Sequence, residues 1–308
     1  MAIERIVSFL PSATELLYEL GVKDRIFGVT HKCLYPEDAK SKPRVITSVL
    51  NPDVLNSKEI DDKIIELMRN GQDIFMLDEK NLVNARPDLI VSQEICEVCS
   101  AYTNQVNKAL SILDKKPLVH ALNPSDLQGI LSSIDELAKK VGREEQGRVL
   151  RKSLEKRIEY VKSKKFEKRP RVLCIEWIEP FFTSGHWIPE MVELAGGKNL
   201  ISIKGEKSRR MTFEEVKDEN PEIIIMMPCG FDTERTISEY KNILENNDQW
   251  DKIEAVKINN VYAVDANSYF SKPSIRTITG LEILAKIIQP KIFDELVVPQ
   301  NSFKRISS

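Results

Sequence analysis

The chain has 308 residues, of which 42% are hydrophobic and 30% are charged, and its formal net charge is -2. This composition is typical of a globular protein with about two domains. The near balance of charge argues against nucleic acid or an anionic membrane as a general partner, because both require a basic surface. No stretch approaches the roughly 18 apolar residues of a membrane span, so we expect none.

The first residues do not resemble a signal peptide, because the apolar run at residues 6–10 is too short and leads directly to Pro11. The sequence as it stands therefore predicts a cytoplasmic protein, or an extracytoplasmic one if a leader has been removed. Five cysteines are an odd number and too few for a disulfide framework in a chain of this length. We expect them to be core thiols, redox groups or metal ligands.

Short apolar runs rich in Val and Ile alternate with helical patterns along the chain. Such alternation predicts parallel sheets covered by helices. The predicted strands of a first set lie at residues 3–10, 26–30, 74–77, 88–92 and 117–122, and those of a second set at residues 171–177, 222–227 and 261–265. The two sets predict two α/β lobes.

A long helical stretch separates the two sets of strands. Ser125 and Gln128 form a capping-box pattern before an apolar stripe, and Gly142 then interrupts the helix. A second helix at about residues 143–163 carries a narrow apolar stripe and would span roughly 30 Å. The predicted division is a first lobe at 1–122, a helical linker with an interlobe helix at 123–169, a second lobe at 170–290 and a tail at 291–308.

Both lobes begin with a strand, a loop and a helix. In the first lobe Ser12 and Glu15 form a capping-box pattern, and Gly21 is placed to cap the end of the helix. In the second lobe Pro189 lies near the start of a helix and Gly196 lies just past its end. Ligands of open parallel sheets bind beyond the carboxyl ends of the strands, so we predict a site between the lobes.

Aromatic side chains are concentrated in the loop that follows the first strand of the second lobe. Trp177, Phe181, Phe182, His186 and Trp187 lie within eleven residues. Such a cluster fits a large, flat and partly apolar ligand. The alternative is that about half of these side chains belong to the core of the lobe.

Two short pairs of candidate metal ligands follow strands of the first lobe. His31 and Cys33 follow the strand at 26–30, and Cys96 and Cys99 follow the strand at 88–92. Four nitrogen and sulfur ligands are compatible with a tetrahedral zinc or iron site. A thiol or redox role and ordinary packing are the alternatives.

Several motifs in register resemble the substrate-binding proteins of cobalamin and iron-siderophore ABC importers. They are residues 6–15, 28–36 and 85–91, while residues 185–197 resemble a cobalamin-binding branch of that family. The resemblance extends over nearly the whole chain. It implies two Rossmann-like three-layer α/β lobes joined by one long backbone helix, which is the class III periplasmic-binding-protein fold.

The resemblance also implies a function, which is non-catalytic binding of a corrinoid (cobalamin or a precursor) between the lobes, with an ABC permease as partner. His186, near a helix N-terminus, or one of the His and Cys groups is a candidate ligand of the cobalt. The ligand-binding residues that we predict come from loops facing the cleft: Phe9, Pro11, Ser12, His31, Tyr35, Tyr102, Trp177, Phe182, His186, Trp187, Tyr269 and Phe270.

Two other functions stay open at this point. The same fold could hold a haem, which needs an axial His or Tyr, or an iron-siderophore, which needs basic groups such as Arg209, Arg210 and Arg276. In the other alternative, the chain is a cytoplasmic metalloprotein that processes or hands over a tetrapyrrole-like ligand. The metal would then be held by the four candidate ligands His31, Cys33, Cys96 and Cys99.

Overall fold

A computed structural model describes residues 2–93 and 103–306 of the chain. The predicted site residues Cys96, Cys99 and Tyr102 lie outside these ranges. The described chain contains two six-stranded sheets, one in each lobe. This architecture confirms the predicted α/β fold class.

The first sheet has the order β4-β3-β2-β1-β5-β6, and all neighbours are parallel except β3 and β4. Its strands are β1 (Ile6–Ser8), β2 (Ile26–Thr30), β3 (Arg44–Ser48), β4 (Phe75–Leu77), β5 (Leu89–Ser92) and β6 (Leu118–Ala121). The helices of this lobe are α1 (Pro11–Glu19), α2 (Ser57–Arg69), α3 (Glu79–Ala85) and α4 (Thr103–Ile112). Two helices, α5 (Leu127–Val141) and α6 (Glu144–Lys162), lead to the second lobe.

The second sheet has the order β12-β11-β10-β7-β8, and β9 pairs with β7. Its strands are β7 (Arg171–Trp177), β8 (Phe182–Thr183), β9 (Lys198–Asn199), β10 (Ile223–Met226), β11 (Val261–Val264) and β12 (Phe303–Arg305). Its helices are α7 (Ile188–Leu194), α8 (Phe213–Glu219), α9 (Thr233–Ile243), α10 (Glu254–Lys257), α11 (Ala266–Tyr269) and α12 (Thr277–Ile288). Among the described residues, no helix is long and apolar enough to cross a membrane.

The strands bury side chains on both faces, which explains their continuous apolar runs. In the first sheet Ile6 and Leu89 belong to one core cluster, whereas Val7 and Ile90 belong to another on the opposite face. The cluster that contains Ile6 continues through the helices between the lobes and includes Val172 of the second sheet. One continuous core therefore connects the two lobes.

The helices between the lobes begin and end at identifiable residues. The N-cap of α5 is Asp126 rather than the predicted Ser125, because the Asp126 carboxylate accepts the Gly129 N–H at 2.7 Å. Gly142 ends this helix with a φ of 68°, the left-handed conformation that glycine adopts readily. The following helix α6 is tied to α12 by the Arg157 guanidinium, whose Nε donates to Glu282 Oε1 at 2.8 Å.

The stretch from residue 291 on, which the sequence predicts as a tail, contributes to the second lobe. Strand β12 pairs antiparallel with β11, and Phe293 and Ile306 are buried. A three-residue strand with two basic residues carries too little alternation to be recognised in the sequence. The pairing partner, distant in sequence, determines its conformation.

The predicted capping box at the start of α1 is wrong. The helix begins at Pro11, its N-cap Leu10 has no side-chain cap, and both Ser12 and Glu15 are buried. The Glu15 carboxylate is used elsewhere, because it faces the loop between α11 and α12 of the second lobe. Ser274 Oγ donates a hydrogen bond to Glu15 Oε2.

Two cations complete the surroundings of this carboxylate. Glu15 Oε1 lies 3.4 Å from Lys272 Nζ and 3.8 Å from an Arg276 guanidinium nitrogen, and the Glu15 side chain is 1% exposed. A buried charge of this kind is tolerated only when it is paired, because burial removes its hydration. The cluster of Glu15, Lys272, Ser274 and Arg276 therefore joins the lobes on one side, and we call it the Glu15 cluster.

Replacing Glu15 with Ala should lower the free energy of unfolding by about 3–5 kcal/mol, since it leaves Lys272 and Arg276 without their counter-charge. Urea denaturation followed by circular dichroism measures this change. The matched control is Glu37→Ala, because Glu37 forms a surface pair with Lys40 and its side chain is 83% exposed. Equal effects of the two substitutions would contradict the importance of the Glu15 cluster.

Candidate functional site

A cavity of about 540 Å³ lies between the two lobes. Its volume is within the range of small-molecule binding sites. The first lobe contributes α2 and the loops that follow its strands, for example Leu10, His31 and Leu50. The second lobe contributes the ends of β7 and β10 and the loops beside them, for example Trp177 and Cys229.

Aromatic rings form the wall of the cavity on the second lobe. They belong to Trp177 at the end of β7, Phe182 in β8 and Phe231 after β10. Trp177 and Phe231 meet edge to face, with their ring centroids 5.4 Å apart. The Trp177 indole is also fixed by a hydrogen bond across the cleft, in which Nε1 donates to the Ser57 carbonyl at 3.2 Å. The rings thus present an oriented apolar surface to a ligand.

Helix α2 forms the opposite wall. It starts with a capping box, in which Asn56 Oδ1 accepts the Glu59 N–H at 2.8 Å. Ile60, Ile64 and Met68 recur at intervals of four residues, so they lie on one face of the helix, and all three line the cavity. Met68 is 50% exposed, although it lines the cavity. This face is therefore available to an apolar ligand.

The second lobe holds α2 in place by polar contacts at the N-terminal half of the helix. The Ser57 N–H donates to Glu239 Oε1 at 2.5 Å, and the side chain of Asp61 accepts from Arg210 at 2.7 Å. An acidic group at a helix N-terminus is favourable, because the first backbone N–H groups have no partner within the helix. Glu239 therefore caps a helix that belongs to the other lobe.

Arg235 joins the loop before α2 to the second lobe in the same way. Its guanidinium donates to the carbonyls of Pro52 at 2.7 Å and Leu55 at 3.0 Å, and lies 3.6 Å from the Phe231 ring centroid. Burial lowers the pKa of this guanidinium. We call the contacts of Glu239, Arg210, Arg235 and Trp177 with residues 52–61 the α2 tethers.

His31 lines the cavity from the first lobe. Its Nδ1 lies 3.4 Å from the carbonyl oxygen of Ile46, which favours the tautomer with the proton on Nδ1 and the lone pair on Nε2. Burial, and next the positive charge of Lys32, lower the pKa of this imidazole below its usual value of 6.5. The ring is therefore neutral at pH 7.

His186 lines the same cavity from the second lobe. Its ring stacks on Trp187 at 5.4 Å between centroids, and its backbone has a φ of 53°, which is unusual for a residue with a side chain. Burial, and next the charge of Lys207, lower the pKa of this imidazole. Nδ1 is buried without a hydrogen-bond partner among the described residues. A neutral imidazole thus faces the cavity from each lobe.

Five of the predicted ligand-binding residues line the cavity, namely Pro11, His31, Trp177, Phe182 and His186. Cys229, which also ends a strand, lines it too. The sequence identifies the cavity residues because they lie at the carboxyl ends of predicted strands or in the loops that follow them. Tyr102, a further predicted ligand-binding residue, lies outside the described residues.

The other predicted aromatic residues have structural roles. Phe9, Trp187 and Phe270 are buried, and Trp187 Nε1 donates to the Phe270 carbonyl at 3.1 Å. Tyr35 and Tyr269 lie beside the Arg276 guanidinium, at 4.1 and 4.7 Å from their ring centroids. Ser12 is buried in α1, and its Oγ has no hydrogen-bond partner among the described residues. These residues do not line the cavity, and their contact with a ligand stays a prediction. Sequence spacing does not distinguish a cleft wall from the core behind it.

Of the four predicted metal ligands, His31 and Cys33 lie within the described residues, whereas Cys96 and Cys99 lie outside them, so the predicted site stays a prediction. Cys33 is buried, and its Sγ lies 3.1 Å from Thr14 Oγ1 and 3.4 Å from Thr30 Oγ1. Burial raises the pKa of the Cys33 thiol, which opposes the thiolate form that binds metals. No group of three or more His, Cys, Asp or Glu side chains within 2–93 and 103–306 could hold a metal ion.

The basic residues predicted for an iron-siderophore are already paired. Arg209 contacts Glu215 at 2.7 Å, Arg210 contacts Asp61, and Arg276 faces Glu15.

The sequence analysis did not predict that α2, Phe231 and Arg235 line the cavity. The apolar recurrence at residues 60, 64 and 68 was the available signal, since it marks one apolar face on an otherwise polar helix.

The sequence profile of a family described as "Periplasmic binding protein" matches residues 6–268. Among curated proteins, the uncharacterized ABC transporter substrate-binding lipoprotein YvrC of Bacillus subtilis strain 168 is 26% identical over 302 residues. That match covers 95% of this chain and 82% of the relative.

Two solved structures are similar over almost the whole chain. The periplasmic vitamin B12 binding protein BtuF of Vibrio cholerae has a TM-score of 0.67 at 20% identity, covering 95% of this chain and 98% of that one. A periplasmic heme binding protein of Pseudomonas aeruginosa has a TM-score of 0.72 at 15% identity, covering 99% of both chains. At these identities the similarity shows the fold, and it confirms the predicted class III periplasmic-binding-protein fold.

Replacing Glu239 with Ala should accelerate backbone amide exchange at the start of α2, because the Ser57 N–H then loses its acceptor. Loss of one charged hydrogen bond is expected to destabilise the helix start by about 1–3 kcal/mol. Hydrogen–deuterium exchange of a peptide that begins several residues before Ser57 and includes the first turn of α2 measures this effect. Glu219→Ala, an exposed carboxylate at the end of α8, is the control. Unchanged exchange in Glu239→Ala would contradict the role of Glu239 as a cap of α2.

Proposed function

Because the chain belongs to the periplasmic binding protein family, we propose that it binds a corrinoid between its lobes and presents it to an ABC permease. The observation that supports this proposal is the cavity with two apolar walls. One wall consists of Trp177, Phe182 and Phe231, and the other is the apolar face of α2. In this proposal a flat macrocycle lies between them.

Binding would rest mainly on burial of the two faces of the ring, with aromatic contacts on one side. A corrin ring also carries amide groups around its edge, and these require hydrogen-bond partners in the cleft. Ser48, Gln93, Asn267 and Ser271 line the cavity and offer such groups. The motif at residues 185–197, which resembles the cobalamin-binding branch, supports the same ligand.

Haem is the second candidate, and one observation favours it. His31 and His186 are neutral and approach the cavity from opposite lobes. Iron in a porphyrin accepts axial ligands on both faces, and neutral imidazoles suit this role. The Pseudomonas structure is named as a heme binding protein and the Vibrio structure as a vitamin B12 binding protein, so both ligands occur with this fold.

We also propose that the protein is not an enzyme and acts outside the cytoplasm. The Bacillus relative is named as a lipoprotein, and the Vibrio and Pseudomonas proteins are named as periplasmic. The cytoplasmic location expected from the sequence has no support from these relatives. A metalloprotein built on His31, Cys33, Cys96 and Cys99 is less favoured, because the Cys33 thiol is buried beside Thr14.

Titration with hydroxocobalamin, haemin and a ferric hydroxamate siderophore, followed by quenching of tryptophan fluorescence, tests the ligand class. We expect the corrinoid to bind most tightly. Trp177→Ala should weaken its binding about tenfold or more, because it removes a ring from the cavity wall. Tyr160→Ala, on the linker helix α6, is the control. Tight binding of haemin without binding of the corrinoid would exclude the first proposal and favour the second.

The cobalt of bound hydroxocobalamin should exchange its axial water for His186, which shifts the absorption bands. His186→Ala should abolish the shift, whereas His120→Ala on β6, a residue that does not line the cavity, should not. Because burial lowers the pKa of His186, acid should remove the shift with a midpoint below pH 6.5. A shift that survives in His186→Ala would assign the ligand to another group.

A further inference from the structure

A second cavity, of about 460 Å³, adjoins the first and shares part of its wall. Lys32, Arg235 and Asn267 line both cavities. The residues that line only the second cavity are mainly polar and include Thr47, Asn51, Asp53 and Asp232. We call this second cavity the polar annexe.

The carboxylates of the polar annexe are already engaged in the fold. Asp53 lies 3.7 Å from the Arg235 guanidinium, and Asp232 caps α9 by accepting the Arg235 N–H at 2.8 Å. Their charge is therefore partly balanced. They can still accept hydrogen bonds from hydroxyl groups, since a carboxylate has several lone pairs.

Lys32 is a different case. Its ammonium forms no ion pair within residues 2–93 and 103–306, although the side chain lines both cavities. The positive charge of Lys32 acts electrostatically on the cleft, because it contributes, after burial, to the lowered pKa of the adjacent His31. A partly buried cation without a counter-charge, at the junction of an apolar and a polar cavity, suits a ligand that carries an anion beside an apolar ring.

We propose that the polar annexe receives the nucleotide tail of a complete corrinoid, with the Lys32 ammonium on the phosphate of the tail. This inference rests on the proposed function. The tail offers a phosphodiester anion to Lys32 and a ribose hydroxyl to Asp53 or Asn51, while the corrin ring occupies the apolar cavity. A corrinoid without the tail would leave the annexe to water. Lys32 is thus a specificity-determining residue.

Isothermal titration of the full chain with cyanocobalamin and with dicyanocobinamide, which lacks the tail, tests the inference. The wild-type protein should bind cyanocobalamin at least about tenfold more tightly, since one charge-assisted contact is worth at least that factor. Lys32→Gln should lose most of this preference by weakening cyanocobalamin alone, and Lys32→Arg should restore it.

Lys165→Gln is the control, because Lys165 is an exposed lysine that lines neither cavity. It should leave the preference unchanged, and circular dichroism should show that all variants are folded. Equal affinity of the wild type for the two corrinoids, or equal weakening of both by Lys32→Gln, would overturn the inference and leave the proposed function standing. Binding of neither corrinoid would overturn both.

Discussion

The buried carboxylate of Glu15 constrains the arrangement of the two lobes. It lies in α1 of the first lobe, and its partners Lys272, Ser274 and Arg276 all come from one loop of the second. A charge that is 1% exposed must keep these partners, because separation would leave it without either water or a counter-ion. The lobes therefore meet in one defined orientation on this side. The continuous core that passes through α5 and α6 reinforces it.

The α2 tethers give the cleft its second fixed side. Helix α2 is covalently part of the first lobe, yet its first N–H is capped by Glu239 and its Asp61 is paired with Arg210 of the second. The apolar face of α2 is thereby held opposite Trp177 and its neighbours. The distance between the two walls depends on contacts between the lobes, so the cavity is a property of the whole chain. Such preorganisation reduces the ordering that a rigid, flat ligand has to induce.

The parts of the fold that sequence patterns predicted are those with strong local signals. Strands β1, β5, β7 and β10 are buried on both faces and read as continuous apolar runs, and Gly142 ends a helix where its pattern stops. The pattern failed where partners distant in sequence decide the structure. Residues 303–305 form strand β12 because they pair with β11. Glu15 has the spacing of a capping residue, but its carboxylate is paired with Lys272 of the other lobe.

The residues of the site also divide into those that local sequence patterns predict and those whose roles depend on partners distant in sequence. Strand ends predicted His31, Trp177 and His186 because topology brings them to one edge. The pattern could not separate Phe182, which faces the cavity, from Trp187 ten residues after Trp177, which packs into the core. Nor could it detect Arg235, whose role depends on carbonyl groups about 180 residues away.

A crystal structure of the protein grown with hydroxocobalamin would locate the ligand. We predict electron density for a corrin ring between α2 and the rings of Trp177, Phe182 and Phe231, with the Glu15 cluster unchanged. A corrinoid bound at another surface, or a cleft that stays empty of it at saturating concentration, would contradict the claim that this cavity is a corrinoid site.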